Sequence, residues 1–134
     1  MNFFKKLFGI KDKEDVNKVH EVIKETPEVK EISVDDLKKK IDNKEDFTLV
    51  DVRTESELNY GKIKCRQFKF IPMQEIESRE KELDKNKEVI TYCRTGHRSH
   101  SVAQSLMEHG FKKVLHLKGG IMAWRKYDKS IEPY

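Results

Sequence analysis

Residues 88–110 read EVITYCRTGHRSHSVAQSLMEHG, and this stretch decides the fold. It opens with EVITY, a mostly apolar and β-branched run that is typical of a strand buried on both faces of a parallel sheet. From Arg98 or Ser99 onward, apolar residues recur at helical spacing, and Gly110 ends the helix. A strand that passes into a helix through the short loop CRTGHR (93–98) predicts an α/β fold.

Strands and helices alternate outward from this segment. Ser33 is a predicted helix N-cap, and Thr54 with Glu57 three residues later forms a capping-box pattern. Further strands are predicted near Ile32 and at FTLVDV (47–52), FKFIP (68–72) and KVLHL (113–117). Further helices are predicted at VDDLKKKIDN (34–43), TESELNY (54–60), MQEIESREKEL (73–83) and GGIMAW (119–124). The alternation predicts a central, mainly parallel β-sheet with helices on both faces.

The chain of 134 residues is long enough for one compact domain, and the domain pattern begins near Glu31. Residues 11–30 are mostly charged, so residues 1–30 are predicted to form a flexible charged tail and residues 31–134 the domain. Residues 1–10, MNFFKKLFGI, could make a weak apolar contact with a membrane or a protein, although a frayed terminus is the favoured interpretation.

The composition narrows the class of protein. Lys and Arg number 28 and Asp and Glu 24, and the two signs interleave without the basic stripe that nucleic-acid binding needs. Two cysteines are too few for a secreted disulfide framework, and no apolar run approaches the length of a membrane-spanning helix. Lysines interrupt the apolar stretch at the start, which argues against a signal peptide. A cytoplasmic protein that binds no nucleic acid is expected.

Cys93 is the candidate nucleophile, because it lies at the carboxyl end of a predicted strand, where α/β folds place their ligands. The helix that follows would direct backbone N–H groups at the thiol, and Arg94 and Arg98 are the nearby cations that would lower its pKa. Gly96 allows the loop to turn tightly. A thiolate in such an anion-binding loop can attack a sulfur or phosphorus electrophile. The alternative, an inert core cysteine, fits poorly with these polar neighbours.

Three motifs, in this order, resemble the single-domain rhodanese family, whose members are sulfurtransferases. LVDVRTESEL (49–58) is similar to the strand-and-turn signature of the family, CRTGHRS (93–99) to its catalytic loop and LKGGIMAW (117–124) to its C-terminal signature. The resemblance covers residues 31–127 and implies a rhodanese-like fold.

The resemblance also implies a reaction. Cys93 would take a sulfane sulfur from a small anionic donor such as thiosulfate, hold it as a persulfide and pass it to a thiol or cyanide acceptor. Asp51 and Arg53 match the DVR of the family and are expected to support the loop rather than take part in the chemistry. No cofactor is implied, and no metal is expected because the histidines lack ligand spacing. The outer sulfur would be cradled, and the donor bound, by the five residues after the cysteine: Arg94, Thr95, Gly96, His97 and Arg98.

Two other functions stay open. A non-catalytic sulfur carrier or regulatory binding module would use residues 1–30 to recruit its partner. A cysteine-based phosphatase or arsenate reductase of the same fold would carry one more residue in the loop, whereas Cys93 and Arg98 bracket four. The loop length therefore favours sulfur transfer over phosphoryl or arsenate chemistry.

The segment GKIKCRQFKFIP (61–72) departs from the family pattern at Lys62, Cys65 and Arg66. Cys65 could act as a second, resolving thiol. A bystander on a variable loop is the favoured interpretation, because loops tolerate change.

Overall fold

The computed structural model describes residues 28–134. Residues 1–27 of the predicted flexible tail, and with them the predicted contact of residues 1–10, lie outside the described part of the chain. The strands are β1 (Lys30–Ile32), β2 (Phe47–Asp51), β3 (Phe68–Phe70), β4 (Glu88–Tyr92) and β5 (Val114–Leu117). The α-helices are α1 (Val34–Asp42), α2 (Ile76–Arg79), α3 (His97–Glu108) and α4 (Gly120–Trp124). Turns of 3₁₀-helix span Ser56–Tyr60, Met73–Glu75 and Glu80–Glu82.

The five strands form one parallel sheet in the order β1-β5-β4-β2-β3, which confirms the predicted α/β class. β4 occupies the middle of the sheet and leads directly into Cys93. Asp51 at the end of β2 lies opposite Tyr92 at the end of β4. The carboxyl ends of these neighbouring strands therefore bring the DVR motif and the cysteine loop to one edge of the sheet.

Helices cover both faces of the sheet, as predicted. Successive strand residues point to opposite faces, so that Val50 and Val89 join one core cluster and Leu49 and Ile90 the other. The first cluster includes Val102, Ala103 and Leu106 of α3. The second includes Leu37 of α1 with Ile121 and Trp124 of α4. The position of the cysteine loop is thus set by β4 and α3, which are packed from both sides.

Both capping patterns that the sequence predicts form their hydrogen bonds in the structure. The Ser33 hydroxyl accepts a hydrogen bond from the N–H of Asp36 at 3.0 Å, and α1 begins immediately after it. Thr54 and Glu57 also exchange the two capping-box hydrogen bonds, at 3.1 Å and 3.4 Å. The turn that they open is nevertheless a 3₁₀ turn and not the predicted α-helix.

The prediction of one continuous helix over residues 73–83 is wrong. The segment is a 3₁₀ turn, the four-residue helix α2 and a second 3₁₀ turn in succession. Ile76 and Leu83 are buried against the first core cluster, while Met73 is exposed. The segment has to bury both side chains within the connection between β3 and β4, and tight turns achieve this better than one straight helix. No helix among residues 28–134 has both the length and the apolar composition needed to cross a membrane.

Candidate active site

The Cys93 thiol lies inside the loop that joins β4 to α3. Gly96 adopts a φ of 123°, which L-residues rarely accept, and α3 begins at the next residue. This turn directs the N–H of Gly96 at the Cys93 Sγ, with an N–S distance of 3.1 Å. The Ser99 hydroxyl lies 3.6 Å from the same sulfur atom. Only 1% of the cysteine is exposed, so these polar groups replace water around the sulfur.

The surroundings of Cys93 favour its thiolate. Burial opposes ionisation, but hydrogen bonds from the Ser99 side chain and from the backbone of Ser99, Gly96 and Thr95 outweigh it and lower the pKa of the thiol. From the sequence, both the backbone N–H groups at the start of the helix and the cations Arg94 and Arg98 are expected to lower this pKa. In the structure, the leading contributions come from Ser99 and the backbone N–H groups.

Arg98 is held in a bidentate ion pair with Glu57. The distances from Nη1 to Oε1 and from Nη2 to Oε2 are 2.6 Å and 3.0 Å. The Arg98 guanidinium lowers the pKa of Glu57 to about 2, and Glu57 in turn raises the pKa of Arg98. Most of the Arg98 charge is therefore matched by a carboxylate that is carried on the Ser56–Tyr60 turn.

The other side chains of the loop are more open. Arg94, Thr95 and His97 are exposed, whereas the backbone of Gly96 is buried. The Arg94 guanidinium lies over the ring of Tyr134, with its central carbon 5.2 Å from the ring centroid. Arg94 is thus the loop cation that faces solvent most directly.

Asp51 and Arg53 form a fully buried ion pair beneath the loop. Both side chains are 0% exposed, and the Arg53 Nη2 lies 2.8 Å from the Asp51 Oδ2. The Tyr92 hydroxyl donates to the same Asp51 oxygen at 2.7 Å. Burial disfavours the Arg53 charge, but the hydrogen bonds and charge of Asp51 prevail and raise its pKa.

Arg53 also connects the pair to the neighbouring turn. Its guanidinium donates to the carbonyl oxygens of Gly61 at 2.7 Å and Glu57 at 3.2 Å. These bonds attach the turn that carries Glu57 to the carboxyl end of β2. The geometry suits the supporting role expected for the DVR motif.

The glycines before α4 allow that helix to close against the cysteine loop. A Cβ atom on Gly120 would lie 2.4 Å from the Arg94 carbonyl oxygen and 2.5 Å from that of Cys93, and its φ is 59°. The N–H of Ile121 donates to the Cys93 carbonyl oxygen at 2.9 Å, and the N–H of Met122 donates to that of Arg94 at 3.2 Å. Gly120, the second glycine of LKGGIMAW, is therefore required by a backbone-to-backbone contact.

A cavity of about 470 Å³ also lies against the loop, and its walls include Thr95, His97, His100 and His116. Burial lowers the pKa of His116 and so favours its neutral ring. The volume is within the range of small-molecule sites. Within the described residues 28–134, no three His, Cys, Asp or Glu side chains come together in a way that could hold a metal ion.

Cys65 lies apart from this hydrogen-bond network. It is a free, half-buried cysteine packed against the second core cluster, and burial raises the pKa of its thiol. The two cysteines therefore have opposite shifts in pKa.

Three side chains at the site were not singled out from the sequence for their part in it. Ser99 stands inside the quoted loop motif, where a polar residue in the first turn of a helix was the available signal. Glu57 was identified only as a helix cap. Tyr134 carries no local signal, since its hydroxyl reaches Glu57 from 77 residues away along the chain.

The structure is a parallel α/β domain in which a cysteine lies in the loop between a strand and a helix, with a backbone N–H directed at its sulfur atom. Comparison with known proteins identifies the family to which such a domain belongs. A family model described as a rhodanese-like domain matches residues 33–127. The chain belongs to the rhodanese-like family.

Similar proteins agree with this assignment. A protein of Allochromatium vinosum named sulfurtransferase is 38% identical over 99 residues, which are 74% of this chain and 91% of that protein. The thiosulfate sulfurtransferase GlpE of Coxiella burnetii is 34% identical over 84 residues, covering 63% and 77% of the two chains. The crystal structure of a rhodanese-like domain protein from Staphylococcus aureus superposes with a TM-score of 0.66 at 33% identity, covering 72% and 91%. Family and relatives support sulfurtransferase activity in general.

Proposed function

We propose that this chain moves a sulfane sulfur from a small anionic donor such as thiosulfate, through a persulfide on Cys93, to a thiol or cyanide acceptor. The observation that carries the proposal is the surroundings of the Cys93 Sγ, with the Gly96 N–H at 3.1 Å and the Ser99 hydroxyl at 3.6 Å. These groups lower the pKa of the Cys93 thiol and so favour its thiolate. Fixed N–H donors of the same loop would stabilise the negative outer sulfur of a persulfide without rearrangement.

The reaction that we propose has two balanced steps. The Cys93 thiolate attacks the sulfane sulfur of thiosulfate, a new S–S bond forms, and sulfite leaves with the electron pair of the bond that breaks. An acceptor thiolate or cyanide then attacks the outer sulfur and releases Cys93 as a thiolate. Neither step needs an oxidant or a reductant beyond donor and acceptor.

The two loop arginines have different parts in this proposal. Arg98 is neutralised by Glu57 at 2.6 Å and would mainly fix the loop and the edge of the donor site. Arg94 is exposed and has no carboxylate partner within the described residues, so it would supply most of the attraction for an anionic donor.

A sulfur carrier or regulatory module is the second candidate. The observation that favours it is that the family match begins at residue 33 and leaves the preceding residues free for another role. We retain residues 1–30 as a partner-recruiting tail in this alternative. In either case we place the protein in the cytoplasm, where its thiols would stay reduced.

Intact-protein mass spectrometry tests the proposal. Incubation with thiosulfate alone should add one sulfur atom to the wild type and to Cys65→Ser, the matched control, but not to Cys93→Ser. Cyanide should then remove that sulfur as thiocyanate. If thiosulfate, a polysulfide and glutathione persulfide all leave the mass unchanged, the proposal is wrong.

Turnover separates the candidate functions. An enzyme should produce many equivalents of thiocyanate from thiosulfate and cyanide, whereas a carrier should release one equivalent per protein. Hydrolysis of p-nitrophenyl phosphate that depends on Cys93 would instead support a phosphatase.

A further inference from the structure

Tyr134 makes a set of contacts at the loop that the proposed chemistry does not yet use. Its hydroxyl donates to the Glu57 Oε2 at 2.6 Å and accepts from the Arg53 Nη1 at 3.0 Å. Its ring stacks on Tyr60 with centroids 4.4 Å apart and planes 12° from parallel. The same ring lies beneath the Arg94 guanidinium, 5.2 Å from its central carbon.

The segment that carries Tyr134 is anchored independently of these contacts. Ile131 is buried in the second core cluster. The carbonyl oxygen of Ile131 accepts a hydrogen bond from the Arg125 Nε at 2.9 Å, and the N–H of Glu132 donates to the Tyr60 carbonyl oxygen at 2.8 Å. These bonds place the Tyr134 ring at the Ser56–Tyr60 turn, so its position does not depend on the arginines.

The Tyr134 side chain is linked to both arginines of the loop. Arg94 contacts the ring directly, and Arg98 is reached through Glu57, which it holds in a bidentate pair. We propose that Tyr134 is a positioning residue of the site, whose ring holds Arg94 and whose hydroxyl holds the Glu57–Arg98 pair at the mouth of the Cys93 loop. The inference rests on the proposed function, since it assigns these arginines to the binding of an anionic sulfur donor.

The hydroxyl and the ring can be tested separately. Tyr134→Phe keeps the ring under Arg94 but removes a donor from Glu57 and an acceptor from Arg53. Tyr134→Leu removes both contacts, so that the exposed Arg94 side chain is no longer held at the loop and its charge is more fully screened by solvent. Anion capture by Cys93 should therefore fall in two steps, by about two- to threefold in the first variant and about five- to tenfold in the second.

The primary experiment uses alkylation of Cys93 in the full chain, which needs no sulfur transfer. The rate constants for anionic iodoacetate and neutral iodoacetamide are measured at Cys93 by peptide mass spectrometry, and their ratio reports the charge at the mouth. The ratio should fall in both variants while the iodoacetamide rate changes less than twofold. Tyr127→Phe is the matched control, since Tyr127 bonds to Asp35 on α1 and should leave the ratio unchanged.

The kinetic form of the same test uses thiosulfate as donor. Both variants should raise the KM for thiosulfate by the same factors and leave kcat within about twofold, because the groups that contact the sulfur are untouched. An unchanged ratio in Tyr134→Leu, or an equal fall in both alkylation rates, would overturn the assignment. A falling ratio in a protein that transfers no sulfur would support the placement of the arginines and contradict the proposed function instead.

Discussion

Replacing Arg53 with methionine should destabilise the fold far more than the same replacement at a partly exposed arginine on the surface. Arg53→Met leaves the Asp51 carboxylate with 0% exposure and without its cation, although the Tyr92 hydroxyl still donates to it at 2.7 Å. Breaking a buried ion pair by removing one partner costs about 3–5 kcal/mol. Since the free energy of unfolding of a domain is about 5–15 kcal/mol, the variant should keep only part of its stability.

Arg79 provides the matched comparison. It pairs with Glu75 and Glu82 at 3.2 Å and 2.7 Å, but its side chain is 32% exposed. Solvent-screened pairs of this kind contribute little, so Arg79→Met should leave the free energy of unfolding nearly unchanged.

Urea unfolding followed by tryptophan fluorescence measures the difference, because Trp124 is the single tryptophan and is buried in the core. With a slope of about 1–3 kcal/mol per molar urea, the Arg53→Met midpoint should fall by about 1–3 M or more. The double variant Asp51→Asn with Arg53→Met should recover part of the loss, since it buries no uncompensated charge. If Arg53→Met and Arg79→Met differ by less than 1 kcal/mol, the reasoning from the buried pair fails.

Three further predictions concern the loop. Alkylation of Cys93 should rise with pH through a transition below the ordinary thiol pKa, whereas that of Cys65 should rise above it, because the two pKa values are shifted in opposite directions. Gly120→Ala should displace the loop, slow Cys93 alkylation by at least tenfold and destabilise the fold by about 1–3 kcal/mol, since its Cβ would meet the Arg94 carbonyl oxygen at 2.4 Å. The Glu57–Arg98 pair should stabilise the fold above about pH 4.5, the ordinary pKa of Glu57, and this contribution should be lost as pH falls toward 2. Glu57→Gln should remove that acid-dependent part of the unfolding free energy.

Each of these has a clear contrary result. Equal pH profiles for the two thiols would argue against an activated cysteine. The control for Gly120→Ala is Gly110→Ala, which also changes a glycine with a positive φ, of 90°, but places its Cβ no closer than 3.9 Å to any other atom. Gly119→Ala is unsuitable as a control, because its Cβ would meet that of Ala123 at 2.7 Å. A Gly120→Ala protein as reactive as Gly110→Ala would refute the close approach of α4 to the loop. Identical acid unfolding of wild type and Glu57→Gln would exclude a contribution from the ion pair.

The sequence by itself predicts the alternation of strands and helices, and it selects Cys93 as the candidate nucleophile. The β-branched runs at 47–52 and 88–92 could be assigned to buried strands because a strand covered on both faces needs apolar residues throughout. Ser33 could be assigned as a cap because capping joins atoms only three residues apart. Cys93 could be chosen because a strand, a tight loop and a helix N-terminus follow one another within a short segment. In each case the deciding interactions are local.

The tertiary structure decided two features that the sequence does not show: the break-up of the predicted helix at 73–83, and the partners of Arg94 and Arg98. The apolar spacing of that segment satisfies a helix, but the burial of Ile76 and Leu83 under the sheet is met by short turns. Arg98 and Glu57 are 41 residues apart, and Tyr134 is 77 residues from Glu57. They meet because β2 and β4 are neighbours in a parallel sheet and end at one edge, and charge alone does not say which carboxylate an arginine will find. The candidate nucleophile and its loop could therefore be predicted from a short stretch of residues, whereas the ion pairs around the loop depend on long-range contacts that exist only in the folded chain.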